Sequence, residues 1–166
     1  MTPDQVRFMY DYDRWATRRV LDQLDGLDPE VWARENVVDE RGLGGVLVHQ
    51  LGAAQRWRTG FQQIDETPRP EMEPLLSVEE LRRRWEAEWE VTDAWLPTLT
   101  QSFIEYVHEG VPVWQMLLHV MNHGTQHRSE AAALLSAEGR SPGEIDIIFY
   151  AEDLAAQAGP GPSGEQ

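Results

Sequence analysis

The chain has 166 residues, 41% of them hydrophobic, which fits one soluble domain large enough to bury a substantial core. Cysteine is absent, which excludes disulfides, thiolate metal sites and a cysteine nucleophile. The formal net charge is −15, from 29 acidic and 14 basic residues. Such a surface repels a phosphate backbone, so nucleic-acid binding is not expected.

The N-terminal stretch MTPDQVRFMYDYDR has neither the basic start nor the apolar stretch of a signal peptide. No apolar run approaches the roughly 20 residues that a membrane-spanning helix needs. We therefore expect a cytoplasmic protein that does not enter a membrane.

The first long helix is predicted from about residue 3 to 25. Thr2 provides an N-cap, a proline follows at the first helical position, and Gly26 ends the helix. The sequence LDPEVW at 27–32 indicates a second, short helical start. The glycine-rich sequence RGLGG then leads into another long helix, predicted over 43–60.

Residues 61–76 contain three prolines and are predicted to form a loop. The sequence SVEE that follows is typical of a capping box, with Ser77 as the N-cap and Glu80 three residues later. The next long helix is predicted to run from there to about Leu99. Segment 102–112 is compatible with either a short strand or an irregular connection.

The last long helix is predicted over 112–138, with Gly139 as a natural C-cap. Residues 143–156 form a short amphipathic C-terminal segment. Four long amphipathic helices, without alternating strands or repeats, predict an all-α four-helix bundle with short connecting and C-terminal helical segments. We expect one domain over residues 1–155 and a disordered tail over 156–166.

Three of the five histidines lie in the stretch HVMNHGTQHRSE, inside the last long helix. His123 and His127 are four residues apart, which places them about 40° apart on one face and about 6 Å apart along the axis. Apolar residues share this stripe, so both rings are expected to face the core. An isolated pair of this kind is more often two hydrogen-bonded core histidines than a metal site.

A third histidine, His49, lies in the middle of the second long helix, with Gly45 and Gly52 on its own face. Small residues there let a neighbouring helix approach closely, and a histidine at such a contact needs something to hold it. Three imidazoles from two helices could bind zinc or a similar divalent ion and leave one position open. A metalloprotease of the H-E-x-x-H type is excluded, because Gly124 stands where its glutamate would be.

The two other histidines are less informative. His119 continues the stripe one turn earlier and could be a fourth ligand, a residue that orients a ligand, or a surface residue. His108 is expected to be structural or exposed.

Together, YDRWATRRVL at 12–21, the lone histidine of the second long helix and N-H-x-x-x-H-R of the last one resemble the DinB/YfiT-like family of metal-dependent enzymes. The resemblance covers nearly the whole chain in order. It implies a four-helix bundle in which His49, His123 and His127 hold a divalent metal ion, zinc first, with nickel, manganese or iron as alternatives. It also implies a homodimer and a small-molecule substrate, in some relatives a low-molecular-weight thiol such as bacillithiol or mycothiol.

One departure from the family concerns Asp13, at a position where asparagine is frequent. Its carboxylate could orient a ligand histidine or a bound water, or it could face solvent. Asn122 is a further candidate for orienting water or a ligand. Arg128 could meet a substrate carboxylate or pair with a surface glutamate.

Two functions remain open at this point. The first is a metal-dependent enzyme, a thiol S-transferase or hydrolase, whose catalytic residues are unknown apart from the candidates Asp13, Asn122 and Arg128. The alternative is a non-catalytic, stress-related interaction protein in which the ion only joins two helices. A metal-free bundle would leave His49 unexplained.

Overall fold

A computed structural model describes residues 1–35, 41–64, 70 and 73–159. Within these ranges the chain forms seven α-helices, one 3-10 helix directly after the fourth of them, and one hairpin. The α-helices are α1 (Pro3–Asp22), α2 (Pro29–Ala33), α3 (Gly42–Gln62), α4 (Val78–Trp95), α5 (Gln101–Glu105), α6 (Val113–Ala137) and α7 (Ile147–Ala158). The remaining elements are the 3-10 helix (Leu96–Thr98) and the strands β1 (Val107–His108) and β2 (Val111–Pro112).

The predicted all-α four-helix bundle is confirmed, with α1, α3, α4 and α6 as its long helices. Thr2 caps α1 through a complete capping box with Gln5, and Gly139 follows α6 in the left-handed conformation, with φ 73°. Helix α4 ends earlier than predicted, at Trp95, and continues only as a 3-10 turn. Pro97 explains this change, because it has no N–H to extend the α-helical hydrogen bonds.

The segment left undecided, 102–112, contains most of α5 followed by the hairpin. Val107 pairs with Pro112 and His108 with Val111 in antiparallel register. Both residues of the connecting turn, Glu109 and Gly110, have positive φ, 47° and 84°. A two-residue hairpin favours such turns, since their twist matches that of the strands.

Two predicted boundaries differ from the structure or lie partly beyond it. Helix α7 runs to Ala158, so the tail predicted over 156–166 begins within this helix, and residues 160–166 lie outside the described residues. The loop predicted over 61–76 begins inside α3, and most of its centre, 65–69 with 71 and 72, also lies outside them.

The main core lies between the four long helices. Trp85 and Trp89 of α4 stack with ring centroids 5.5 Å apart and are packed with aliphatic side chains of the other three helices. Trp32 anchors α2 on this core, since its indole N–H donates to the Leu76 carbonyl at 2.9 Å. No helix in the described part of the chain is both long and apolar enough to cross a membrane.

A second, smaller apolar cluster closes the end of the bundle that carries the hairpin. It joins the start of α1 to the 3-10 helix, α5 and the start of α6, through Val6, Trp95, Leu96, Ile104, Val113 and Leu117. The chain between α4 and α6 is therefore tied to the bundle.

The start of α4 is held by charge as well as by its cap. The Ser77 hydroxyl accepts the Glu80 N–H at 3.1 Å, while the Glu80 carboxylate accepts hydrogen bonds from Arg83 and Arg84 at 2.7–2.8 Å. Among the described residues, the predicted capping box thus forms only in part, through the bond that the Ser77 hydroxyl accepts. The hydrogen bond from Arg83, and to a smaller extent the one from Arg84, lowers the pKa of the Glu80 carboxyl to about 2.

We expect Glu80→Gln to lower the melting temperature near neutral pH and to lose that effect in acid. A depressed folded-state pKa stabilises the protein above the unfolded value, and the contribution disappears as pH falls from about 4.5 towards 2. Circular dichroism melts between about pH 6 and pH 3 measure the difference from wild type. Glu79→Gln is the control, and an equal, pH-dependent effect of that change would contradict the ion-pair explanation.

Candidate metal centre

The structure brings together the three histidines that the resemblance assigned as ligands. His49 comes from α3, and His123 and His127 come from α6, which packs against α3. One ring nitrogen of each residue lies within 4.8 Å of the other two, and the ring centroids are 4.3 to 5.2 Å apart. We call these three residues the histidine cluster.

The donor set fits a divalent ion. The Nε2 atoms of His123 and His127 are 3.2 Å apart, close to the separation of about 3.4 Å that follows from Zn–N distances of 2.0–2.1 Å in a tetrahedral site. The pKa of His123 is lowered to about 4, mainly by burial and to a smaller extent by the neighbouring His127 and His49. A neutral imidazole keeps the lone pair that a metal ligand needs.

One ligand is fixed by a carboxylate that the sequence analysis did not single out. His127 Nδ1 lies 2.6 Å from Glu130 Oε2, so the ring donates its Nδ1–H and leaves the Nε2 lone pair for a metal. Glu130 follows His127 by three residues on α6, which places the two on one helix face. That spacing is a signal in the sequence that could have identified Glu130.

The cluster is buried on one side only. His127 is 3% exposed, whereas His49 and His123 are half-buried. An ion at this point would therefore be covered by the bundle on the His127 side and be reachable from the side of His49 and His123. This geometry suits an open coordination position.

Asp13 and Arg128 form a buried ion pair between α1 and α6. Arg128 is 1% exposed. It donates hydrogen bonds to the Asp13 carboxylate and, at 3.1 Å, to the Thr125 hydroxyl. Its guanidinium carbon lies 5.3 Å from the centre of the Tyr12 ring. Burial alone would lower the pKa of Arg128, but the charge and hydrogen bond of Asp13 outweigh it and raise that pKa. Arg128 therefore meets neither solvent nor a surface glutamate, and Asp13 does not point to solvent.

Gly124 is the residue that lets this pair approach α6. A Cβ atom at position 124 would lie 2.5 Å from Asp13 Oδ1 and 3.0 Å from an Arg128 terminal nitrogen. The ion pair thus occupies the space that the missing side chain of Gly124 leaves on α6. The space beside Gly45 is likewise taken by the Arg41 side chain rather than by another helix.

The remaining candidates lie at the edge of the site. Asn122 is exposed on α6. His119 is also exposed, with its ring 5.7 Å from that of His123 and 5.2 Å from that of Trp57, and it is not part of the ligand group found among the described residues. His108 is exposed on β1.

A small internal cavity reaches the cluster from the bundle interior. Its volume is about 30 Å³, and its walls include His123, Tyr10 and the buried, doubly hydrogen-bonded pair of Arg58 and Glu88. Burial, and then the nearby Asp13, raises the pKa of the Tyr10 hydroxyl, which stays protonated. The volume corresponds to about one water molecule, so this cavity is too small to hold a substrate.

Fold and site define a helical bundle with a candidate three-histidine metal centre between two of its long helices. The sequence model of the DinB family matches residues 2–159, and the chain belongs to that family. Protein DinB of Bacillus subtilis (strain 168) is 24% identical over 162 residues, which cover 86% of this chain and 91% of that protein. No solved structure matches the chain.

Replacing any one ligand should remove bound metal while the helices persist. We expect His49→Ala, His123→Ala and His127→Ala to carry little metal after purification without a histidine tag, because two imidazoles cannot hold the ion against buffer ligands. Mass spectrometry of the metal content and circular dichroism measure both properties. His108→Ala is the matched control, and equal metal in all four variants would refute the site.

Glu130→Gln should weaken metal binding without abolishing it. Loss of a carboxylate that orients a ligand histidine typically costs about 10- to 100-fold in metal affinity. Competition titrations with a metal-binding dye measure the change. An unchanged affinity would show that the His127–Glu130 contact does not support the site.

Asp13→Ala should destabilise the fold strongly, because it leaves the Arg128 guanidinium buried without its counter-ion. We expect a loss of about 3 kcal/mol in the free energy of unfolding, measured with urea. The matched control is Asp93→Ala, which breaks an exposed pair with Arg14 and should cost less than about 1 kcal/mol. Equal losses would contradict the buried role of Asp13.

Proposed function

We propose that this protein is a metal-dependent enzyme acting on small molecules, either as a thiol S-transferase or as a hydrolase. The observation that carries the proposal is the convergence of three imidazoles from two helices on one point, with one ligand buried and two half-buried. A purely structural site would have no need of an accessible side.

The donor set supports zinc, nickel or iron rather than manganese, and zinc stays the first choice from the family resemblance. Imidazole nitrogens suit zinc, nickel and iron, whereas manganese prefers oxygen ligands, and no carboxylate belongs to the ligand group found in the described part of the chain. A divalent ion held in this way lowers the pKa of a water or thiol at its open position and so supplies a nucleophile near neutral pH.

The surroundings of the cluster support an anionic substrate group. With a divalent ion bound, the histidine cluster would be a local positive region in a chain whose net charge is −15. Such a region favours a thiolate or carboxylate over a cation.

The other contacts serve to position the ligands. Glu130 holds His127 in one tautomer, and the pair of Asp13 and Arg128 joins α1 to α6 beside the cluster. A role for Asp13 or Arg128 in proton transfer would require breaking this pair. Asn122 is exposed beside a ligand, which leaves it as a candidate for contacting substrate.

The alternative remains a non-catalytic interaction protein stabilised by metal. Two observations favour it. Within the described residues, no carboxylate belongs to the ligand group, and Asp13 forms an ion pair with Arg128. Exposed apolar side chains on α7, including Ile148 at 55% exposure, would suit a partner. The homodimer and the use of bacillithiol or mycothiol stay predictions of the family resemblance.

Turnover assays on zinc-loaded protein separate the two functions. We expect either transfer of a thiol such as bacillithiol or mycothiol to chlorodinitrobenzene, or hydrolysis of nitrophenyl acetate. Both should depend on metal and disappear in His123→Ala, since the ion would then be lost. Glu79→Gln, at the start of α4 and away from the cluster, should keep full activity and serves as the control.

Two results would contradict the enzymatic proposal. Turnover that survives metal removal would show that the chemistry does not need the histidine cluster. Stoichiometric zinc without turnover of either substrate class would favour the structural role.

A further inference from the structure

A second cavity, which none of the chemistry above uses, lies at the hairpin end of the bundle. Its volume is about 190 Å³, and it is bounded by the C-terminal part of α3, by α5, by the hairpin and by the start of α6. We call it the ring cavity. Its apolar walls are formed by Trp57, Phe61, Phe103, Val113 and Met116.

The aromatic side chains that line the ring cavity pack against neighbouring aromatic rings. Phe61 stacks on Trp95 at 5.8 Å, meets Phe103 edge-on at 6.3 Å and lies 5.8 Å from Trp57, measured between ring centroids. Such contacts fix the positions of ring faces and edges. The walls therefore present preformed aromatic surface to whatever enters.

The ring cavity lies along the same helix interface as the histidine cluster. Met116 precedes His123 by seven residues on α6, which places it on the same face and about 10 Å away along the axis. Between them, the His119 ring contacts both Trp57, a wall of the cavity, and His123. A molecule lying along this interface would touch both places.

We propose that the ring cavity binds an aromatic group of a small-molecule substrate whose polar end reaches the histidine cluster. The inference rests on the proposed function and adds the substrate class: an extended molecule with a thiol or acid at one end and a ring at the other. An apolar cavity of about 150 Å³ is large enough to bind benzene, so 190 Å³ accommodates one ring.

Gly60 offers a way to close the ring cavity without disturbing the fold. It lines the cavity on α3, and no atom lies within 4 Å of the position that a Cβ would take there. Its backbone is helical, so a side chain adds bulk without backbone strain. Gly60→Leu should fill the cavity, whereas Gly60→Ala adds one methyl group and serves as the matched control.

The first experiment tests the ring cavity by itself, with toluene as the probe. Zinc-loaded protein with ¹³C-labelled methionine methyl groups is titrated and followed by NMR, with the Met116 signal assigned from Met116→Leu. We expect a saturable shift of that signal, retained in Gly60→Ala and weakened about tenfold or more in Gly60→Leu. No saturable shift, or equal binding by both variants, would overturn the cavity as a binding site.

The second experiment tests the link between the ring cavity and the histidine cluster. Phenylhexanethiol and hexanethiol are titrated into cobalt-loaded protein, and thiol binding is read from the cobalt absorption spectrum. We expect the phenyl compound to bind about tenfold or more tightly in wild type and Gly60→Ala, and this advantage to vanish in Gly60→Leu.

The two experiments distinguish failure of the inference from failure of the proposed function. Equal affinity for both thiols in wild type would overturn the link while leaving thiol binding at the metal intact. Absence of any thiol effect on cobalt would refute the thiol-transfer form of the proposed function and the link with it. The toluene titration decides the ring cavity in either case.

Discussion

The packing of α3 against α6 is the contact on which the rest of the site depends. It places His49 opposite His123 and His127, and one end of the same interface forms the ring cavity. A three-nitrogen metal site would need its ligand atoms within a few ångströms of one point, which would leave the two helices little freedom to slide. The same interface would thus set both the position of a metal ion and the reach of a molecule bound beside it.

Two buried ion pairs hold the neighbouring helices around that interface. Asp13 and Arg128 join α1 to α6, and Arg58 and Glu88 join α3 to α4. Buried pairs of this kind add little net stability compared with apolar residues, but losing one partner is costly. Their contribution is therefore to fix the relative placement of the helices, and Gly124 is required because the first pair occupies the space of a side chain on α6.

The site combines features that are individually common in proteins. With a metal bound, the histidine cluster would offer a place where a thiol or water becomes nucleophilic, and the ring cavity offers apolar surface about two helical turns away. Small-molecule sites usually pair a few polar groups with a larger apolar wall. This pairing is the reason for proposing an extended substrate with unlike ends.

The sequence by itself determined the helices and part of the site. Thr2, Pro97 and Gly139 act through local backbone chemistry, and the spacing of His123, His127 and Glu130 fixes one shared face of α6 before any tertiary contact forms. Only the tertiary structure decided that Asp13 meets Arg128, that Arg58 meets Glu88, and where the ring cavity lies. These contacts join distant parts of the chain, and which of several apolar helix faces pack together depends on shape and buried charge that no local pattern records.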